Sequence, residues 1–262
     1  MTDPQISAEA HLGAAISALG EDGFTAHLYQ WLGQCFEVDN VTILAFFQTR
    51  QPEIFFHHAK VSHVHEKLES DYLSFAYLLD PFHELHVMQE PEGLYRLRDF
   101  APDQFKRNEY FAKYYARTTL IDEIAYVAYP ARGVSVHVCL GRDASSRRMF
   151  SAADMRTAQN LSAIVCSLIR KQWQNLSASG DYTDDSLVTR VRARLASQHD
   201  IHLSPRQCET ALLILRGHST MSISLRLNIS AQTVKVFRKQ LYRRCKISSQ
   251  AELFSLITPI LT

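Results

Sequence analysis

The chain has 262 residues, of which 46% are hydrophobic and 21% charged. This is the composition of a globular protein with one or two domains. No run approaches the roughly 20 apolar residues that a membrane span requires, and the N-terminal segment lacks the basic and apolar regions of a signal peptide. We therefore expect a cytoplasmic protein with no membrane partner.

The charge is unevenly distributed along the chain. From Asp181 onward the chain has twelve Lys and Arg and six Asp and Glu. Before Asp181 it has sixteen Lys and Arg and twenty-one Asp and Glu. A basic C-terminal part beside an acidic remainder is typical of a polyanion-binding module joined to a different domain.

The N-terminal part mixes helical and strand patterns. Hydrophobic periodicity predicts helices over 7–19, 24–36, 62–79, 107–117 and 151–173. Runs rich in β-branched and aromatic residues predict strands over 41–47, 53–58, 95–98, 124–129 and 134–140. Turn signals at 51–52 and 131–133 indicate two hairpins. We therefore predict an α/β (α+β) sandwich with a central antiparallel sheet flanked by helices.

A polar stretch from Asn175 to Asp185 lacks hydrophobic periodicity and marks a domain boundary. Leu187, Val191 and Leu195 then recur at helical spacing, which indicates a connecting helix. We predict three segments: an N-terminal domain over 1–176, a linker and connecting helix over 177–200, and an all-α helix-turn-helix domain over 201–262.

The last segment contains three predicted helices with capping residues. Ser204 precedes the first helix and Gly217 follows it, Ser219 precedes the second, and Ser230 precedes a basic third helix over 231–244. Two short, tightly joined helices of which the second is basic match the helix-turn-helix that reads the major groove. We predict double-stranded DNA as a partner, bound through ten residues that can reach phosphates or base edges: Ser219, Thr220, Ser230, Gln232, Thr233, Lys235, Val236, Arg238, Lys239 and Arg243.

Segment 203–253 resembles the DNA-binding domain of the LuxR (LuxR/NarL, GerE-like) regulators. The family motif Gly-x-Ser-x-x-x-Ile-Ala reads GHSTMSIS over 217–224, and Leu-x-Ile-Ser-x-x-Thr-Val-Lys is intact as LNISAQTVK over 227–235. Gln207, Phe237 and Cys245-Lys246 depart from the usual Glu, His and Leu-Gly. The resemblance implies a transcription regulator that binds a promoter site as a homodimer, commonly through its last helix, with RNA polymerase as a partner if it is an activator.

The sequence leaves several kinds of N-terminal sensor to weigh. A phosphorylation receiver is rejected, because the first strand ends in Gln48-Thr49-Arg50 instead of paired acids. No GxxxxGK[ST], GxSxG or HExxH motif is found. His83 and His86 have the helical spacing of metal ligands, but an exposed polar helix face gives the same pattern. We therefore predict no enzyme activity, no cofactor and no bound metal.

Aromatic and acidic residues concentrate over 72–82 and 110–123. Aromatic walls with a few polar anchors suit a ligand cavity, although core packing produces the same pattern. The region 70–170 resembles orphan (solo) LuxR-type regulators with a GAF-like or autoinducer-domain-like sensor, which implies a small-molecule effector. Eleven residues are candidates to bind it: Tyr72, Phe75, Tyr77, Asp80, Phe82, Tyr95, Tyr110, Tyr114, Tyr115, Asp122 and Glu123.

The chemistry of the effector depends on where the acids point. If Asp80, Asp122 or Glu123 faces the cavity, an amine is favoured, because aromatics and carboxylates together bind cations. The alternative function is a transcription regulator whose N-terminal domain is a protein–protein interaction module without a small ligand.

Overall fold

The computed structural model describes residues 7–178 and 187–261, so most of the predicted linker lies outside the described residues. The described chain falls into two units. The first unit contains residues 7–66, 85–100 and 118–178, and the second contains residues 67–84, 101–117 and 187–261. Each unit is described by itself.

The first unit is built on a five-stranded antiparallel sheet with the strand order β2-β1-β5-β4-β3. The strands are β1 (Asn40–Phe47), β2 (Glu53–Ala59), β3 (Gly93–Arg96), β4 (Leu120–Ala131) and β5 (Val134–Asp143). The two predicted hairpins, β1–β2 and β4–β5, both pair antiparallel. The predicted central antiparallel sheet is thereby confirmed.

Three helices surround the core of this unit: α1 (Ala8–Ser17), α2 (Phe24–Cys35) and α6 (Ala152–Gln172). Because side chains alternate along a strand, every second residue of β1, including Val41 and Ile43, belongs to the core cluster. Helix α6 begins where sequence reasoning places it, since Ser151 and Asp154 form a reciprocal capping box.

The helix predicted over 62–79 is wrong. The chain instead forms three short turns followed by a helix that the sequence analysis did not predict: Ser62–Val64, Leu68–Tyr72, Ala76–Leu79 and α3 (Pro81–Met88). Ser74 Oγ lies 2.8 Å from Ser70 O and 3.0 Å from Asp71 O, and Phe75 has a φ of −159° and a ψ of −27°, outside the helical region. Side-chain hydrogen bonds to the backbone compete with those of a regular helix. Together with the backbone angles of Phe75, they interrupt the predicted helix here.

Two other predicted elements shift. Strand β3 begins and ends two residues earlier than predicted and leads directly into the short helix α4 (Leu97–Phe100). The helix predicted over 107–117 shortens to α5 (Glu109–Lys113), which starts where the Asn108 side chain accepts a hydrogen bond from Phe111 N–H. The capping asparagine sets the beginning of this helix.

The C-terminal part of the second unit is entirely helical, as predicted. Its helices are α7 (Leu187–His199), α8 (Pro205–Arg216), α9 (Thr220–Leu227), α10 (Ala231–Cys245) and α11 (Gln250–Leu261). Apolar residues from α8, α9 and α10, among them Leu212, Ile223 and Leu241, are buried. None of the helices in the described ranges is long and apolar enough to cross a membrane.

Candidate nucleic-acid interface and ligand cavity

The ends of α9 and α10 are fixed by the residues that the sequence analysis selected. Ser219 Oγ accepts a hydrogen bond from Ser222 N–H at 3.2 Å, and Ser230 Oγ accepts one from Thr233 N–H at 3.0 Å. Between the helices, Asn228 takes a left-handed conformation with φ of 51°, which asparagine tolerates better than most residues. These contacts define a tight turn between two short helices.

Helix α10 has one buried and one exposed face. Val234, Leu241 and Cys245 are buried on the first. Five of the predicted DNA contacts lie exposed on the second: Gln232, Lys235, Val236, Lys239 and Arg243. Of the other predicted residues, Ser230 is exposed, and Ser219, Thr220, Thr233 and Arg238 are partly buried. The exposed face therefore carries cations, an amide and a small apolar group, all suited to a DNA groove.

Arg238 is less available than its neighbours on α10. Its guanidinium lies 5.4 Å from the centre of the Tyr242 ring, and it donates to the Tyr242 hydroxyl at 3.3 Å. Stacking of this kind holds the charged group in one place on the helix surface.

Gln207 has a contact that sequence reasoning missed. It is buried in α8, donates from Nε2 to the Gln240 side chain at 2.9 Å, and accepts from Arg244 at 2.9 Å. Its Oε1 also accepts from Ser204 N–H at 3.0 Å in the capping box. One amide therefore caps α8 and ties it to α10, a link that spans about thirty residues of sequence and leaves no local pattern.

The last helix is packed inside its own chain. The family resemblance implies a dimer contact through this helix, yet its apolar residues Leu253 and Ile257 are fully buried and Leu256 is partly buried. Buried side chains offer no surface to a second copy, so α11 presents less apolar surface than its sequence suggests.

Aromatic ligand candidates meet in the second unit. The ring centres of Tyr72 and Tyr114 are 5.7 Å apart, and those of Tyr110 and Tyr114 are 5.6 Å apart. Tyr77 is 6.5 Å from Tyr72, and Tyr115 is 5.5 Å from Phe105. The structure therefore brings together rings from the two aromatic stretches of the sequence. Phe82, in the same unit, is buried.

Asp80 of the same unit is held by its neighbours. Its Oδ2 accepts from the Tyr72 hydroxyl at 2.6 Å, and its Oδ1 accepts from Phe82 N–H at 2.9 Å at the start of α3. Burial raises the pKa of Asp80 to about 6, although both hydrogen bonds act to lower it. The carboxyl group therefore changes its charge close to neutral pH.

An open cavity of about 270 Å³ lies beside this aromatic cluster. Its lining contains the predicted residues Phe75, Tyr110 and Tyr114, and four others that were not predicted: Asp71, Lys113, Arg117 and Phe254. Lys113 Nζ lies 3.2 Å from Glu109 and 4.7 Å from the centre of the Phe254 ring. The wall is thus aromatic, with two cations and one acid.

The remaining ligand candidates belong to the first unit. Asp122 is buried and accepts from Arg96 Nε at 3.2 Å, from Arg96 Nη2, and from Phe150 N–H at 3.0 Å. The Tyr95 hydroxyl donates to Pro91 O at 2.6 Å, and Glu123 is partly buried on β4. The carboxylate of Asp122 is therefore satisfied by an ion pair and a backbone donor.

A buried polar chain in the first unit was not predicted. His86 Nδ1 lies 2.8 Å from Ser135 Oγ, which lies 3.0 Å from His137 Nε2. Burial lowers the pKa of His86 to about 4, and burial together with the nearby His86 holds the pKa of His137 well below its usual value. Both rings are neutral at physiological pH. His137 and Ser135 sit in a strongly apolar strand, so only the fold reveals their contact with α3.

Comparison with known proteins gives consistent matches. Residues 202–257 match the model of the family "Bacterial regulatory proteins, luxR family". The chain is 30% identical over 182 residues to an HTH-type transcriptional regulator in the exeN 3′ region of Aeromonas salmonicida, covering 68% of this chain and 92% of that protein.

Two solved structures are also similar. The LBD domain of VqsR from Pseudomonas aeruginosa matches with a TM-score of 0.56 and 27% identity, covering 64% of this chain and 98% of that one. Escherichia coli SdiA matches with a TM-score of 0.43 and 14% identity over 96% of both chains.

Proposed function

Because this chain belongs to the luxR family of bacterial regulatory proteins, we propose that it binds a promoter site as a dimer through α10, under the control of a small-molecule effector. The observation that carries the DNA-binding part is the exposed face of α10, with Lys235, Lys239 and Arg243 outside and Val234 and Leu241 inside. The contact residues predicted from the sequence remain the candidates for this surface.

The exposed cations would supply most of the affinity. Duplex DNA carries a dense line of phosphates, and each one neutralised by a Lys or Arg releases counterions, so binding weakens as salt rises. Gln232 and Val236 lie near the start of α10, where groove-reading helices meet base edges. This division assigns affinity to the basic residues and sequence preference to the first turn and a half of the helix.

The double variant Lys235→Ala/Arg243→Ala, which removes two exposed cations of α10, tests the DNA-binding surface. Affinity for sonicated duplex DNA at about 0.1 M salt should fall about 10- to 100-fold, and the slope of log affinity against log salt should become shallower by about 2, as expected for two lost phosphate contacts. Fluorescence anisotropy over a salt series measures both quantities on the full chain.

The matched control is Arg156→Ala/Lys171→Ala, which removes one Arg and one Lys from the exposed side of α6. It has the same net charge as the test variant and should keep the wild-type slope. Equal slopes in the two double variants would refute α10 as the DNA-binding element.

The effector part of the proposal is supported by the likeness to the VqsR LBD domain and by the aromatic cavity. The cavity wall contains Lys113, Arg117 and the acid Asp71. Because Lys113 is already paired with Glu109 at 3.2 Å, Arg117 is the wall cation that is available to an anion. Asp80 and Asp122, two of the acids that favoured an amine, already accept hydrogen bonds on both oxygens. We therefore favour an effector with an aromatic or apolar body and a carboxylate or phosphate group.

A thermal-shift screen can decide between the two effector classes. Matched pairs of aromatic carboxylates and aromatic amines would be tested on wild type, on Arg117→Gln and on the control Arg107→Gln, whose side chain is also exposed. Stabilisation by carboxylates that is lost only in Arg117→Gln is the expected result. Stabilisation by amines alone would contradict an anionic effector and would favour an amine instead.

A further inference from the structure

The amino end of α9 in this structure is occupied by a carboxylate of the same unit. Asp103 Oδ1 accepts a hydrogen bond from Ser219 N–H at 2.9 Å. Burial acts to raise the pKa of Asp103, but the hydrogen bonds from Ser219 outweigh it, so the pKa lies below its usual value. The start of a helix offers free N–H groups and a partial positive charge to anions, and DNA phosphates use such positions. Asp103 therefore stands where a phosphate would bind.

A second carboxylate contacts the other cationic groups of the same segment. Glu84 Oε1 lies 2.7 Å from Arg226 Nη1, and Glu84 Oε2 lies 3.8 Å from His218 Nε2. The His218 side chain is only 2% exposed, and among the described residues its Nε2 has no hydrogen-bond partner. A buried ring nitrogen aimed at a carboxylate at this distance indicates a site built to receive an anion.

The electrostatics of Glu84 agree with this geometry. Burial acts to raise the pKa of Glu84, but contact with His218 and the charges of Arg216 and Arg226 act more strongly, and the pKa lies below its usual value. Glu84 is therefore an anion held among three cationic or potentially cationic side chains of the helix-turn-helix.

Hydrogen bonds to backbone carbonyls hold the segments that carry these two acids. Gln104 N–H donates to Gly217 O at 2.9 Å, Asn108 Nδ2 donates to Leu215 O at 3.3 Å, and Arg216 Nε donates to Leu78 O at 3.2 Å. Gly217 has a φ of 96°, and a Cβ at this position would lie 2.8 Å from Asn108 Nδ2. The left-handed glycine thus ends α8 and also permits this close approach.

We propose that Asp103 and Glu84 imitate DNA phosphates and hold the helix-turn-helix in an autoinhibited state, which rests on the proposed DNA-binding function. In this state Ser219 N–H and Arg226 are bound to the chain's own carboxylates. The same groups cannot also bind DNA, and the two acids would repel the approaching phosphates. DNA binding then requires release of both contacts, and Arg226 and His218 join the groups that face the DNA backbone after release.

The test compares Glu84→Gln/Asp103→Asn with Glu69→Gln/Asp99→Asn in the full chain. Each variant loses two negative charges, and Glu69 and Asp99 are exposed residues outside the contact. Relative to the control, the test variant should bind sonicated duplex DNA about tenfold more tightly, as expected when an exposed helix-end contact and a partly buried ion pair are removed. Adding Lys235→Ala/Arg243→Ala to the test variant should abolish this gain.

Amide hydrogen exchange in the absence of DNA provides a second readout. Exchange over 216–223 should be faster in Glu84→Gln/Asp103→Asn than in the control, because the contacts that protect this segment are lost. Equal DNA affinity or equal exchange in the two double variants would overturn the autoinhibitory contact. Failure of every variant to bind DNA, with exchange still altered, would instead overturn the proposed DNA-binding function and the regulatory role with it.

Discussion

The helix-turn-helix and the β3–β4 region of the first unit differ in the range of their decisive hydrogen bonds. The caps of α8, α9 and α10 join residues only three positions apart. In the other region, Arg96 reaches Asp122, 26 positions away, and Phe150 O, 54 positions away, the latter at 3.0 Å. The helix ends of the first region are specified by nearby residues, and the ion pair of the second only by assembly of the unit.

This difference predicts that the protein should tolerate loss of a helix cap better than loss of one partner of the ion pair. A capping residue satisfies one end of one helix, so its loss has a limited cost. The buried ion pair joins two neighbouring strands that are far apart in sequence, and loss of one partner leaves an uncompensated charge in the interior. The following predictions test this comparison, beginning with the largest effect.

Removal of Arg96 should cause the largest loss of stability. In Arg96→Met, the buried carboxylate of Asp122 loses its ion pair, and the free energy of unfolding should fall by about 3–5 kcal/mol. Chemical denaturation followed by circular dichroism measures this change.

The double variant Arg96→Met/Asp122→Leu distinguishes an ion pair from simple packing. Because it leaves no unpaired charge, it should be more stable than Arg96→Met alone. A double variant less stable than the single one would mean that packing of the arginine stem, and not its charge, holds β3 to β4.

The same comparison explains how much of the fold was predictable. Ser151, Ser204, Gly217, Ser219 and Ser230 all mark helix ends where the sequence places them, because capping acts within one turn. The 62–79 region was misread as one helix, because its apolar spacing is helical while Ser74 and Phe75 interrupt it locally. The pattern of apolar and polar residues predicts which face of a helix is buried, but it does not reveal where the helix is interrupted.

The candidate sites show the same limit. The exposed face of α10 follows from helical spacing alone. The sequence grouped Asp80, Asp122 and Glu123 by composition, yet Asp80 caps α3 and Asp122 pairs with Arg96. The contacts Asp103–Ser219 and Glu84–Arg226 join residues more than 110 positions apart. No local pattern encodes such pairs, and only the folded chain reveals them.

Asp80 should make stability depend on pH in an intermediate range. Its pKa is about 6 in the folded chain against 3.8 for an ordinary Asp, so between these values the folded chain binds a proton that the unfolded chain does not. The free energy of unfolding should therefore rise as pH falls from about 7 to about 4, by on the order of 1–3 kcal/mol from this group.

Asp80→Asn should remove this contribution, because an amide cannot ionise. Urea denaturation of wild type and Asp80→Asn at several pH values measures the difference between the two curves. A constant difference across this range would show that the carboxyl of Asp80 does not titrate near neutral pH in the folded chain.

Ser230 allows stability and DNA binding to be separated at one position. Ser230→Ala removes the acceptor for Thr233 N–H and should cost about 1 kcal/mol of unfolding free energy. Ser255→Ala, on the exposed side of α11, should change it by less than about 0.5 kcal/mol. Ser230→Asp keeps a capping acceptor and should retain stability, but its added charge at the start of α10 should weaken DNA binding. An aspartate variant that binds DNA as tightly as wild type would show that the amino end of α10 lies away from the phosphates, which would limit the DNA interface to the later turns of the helix.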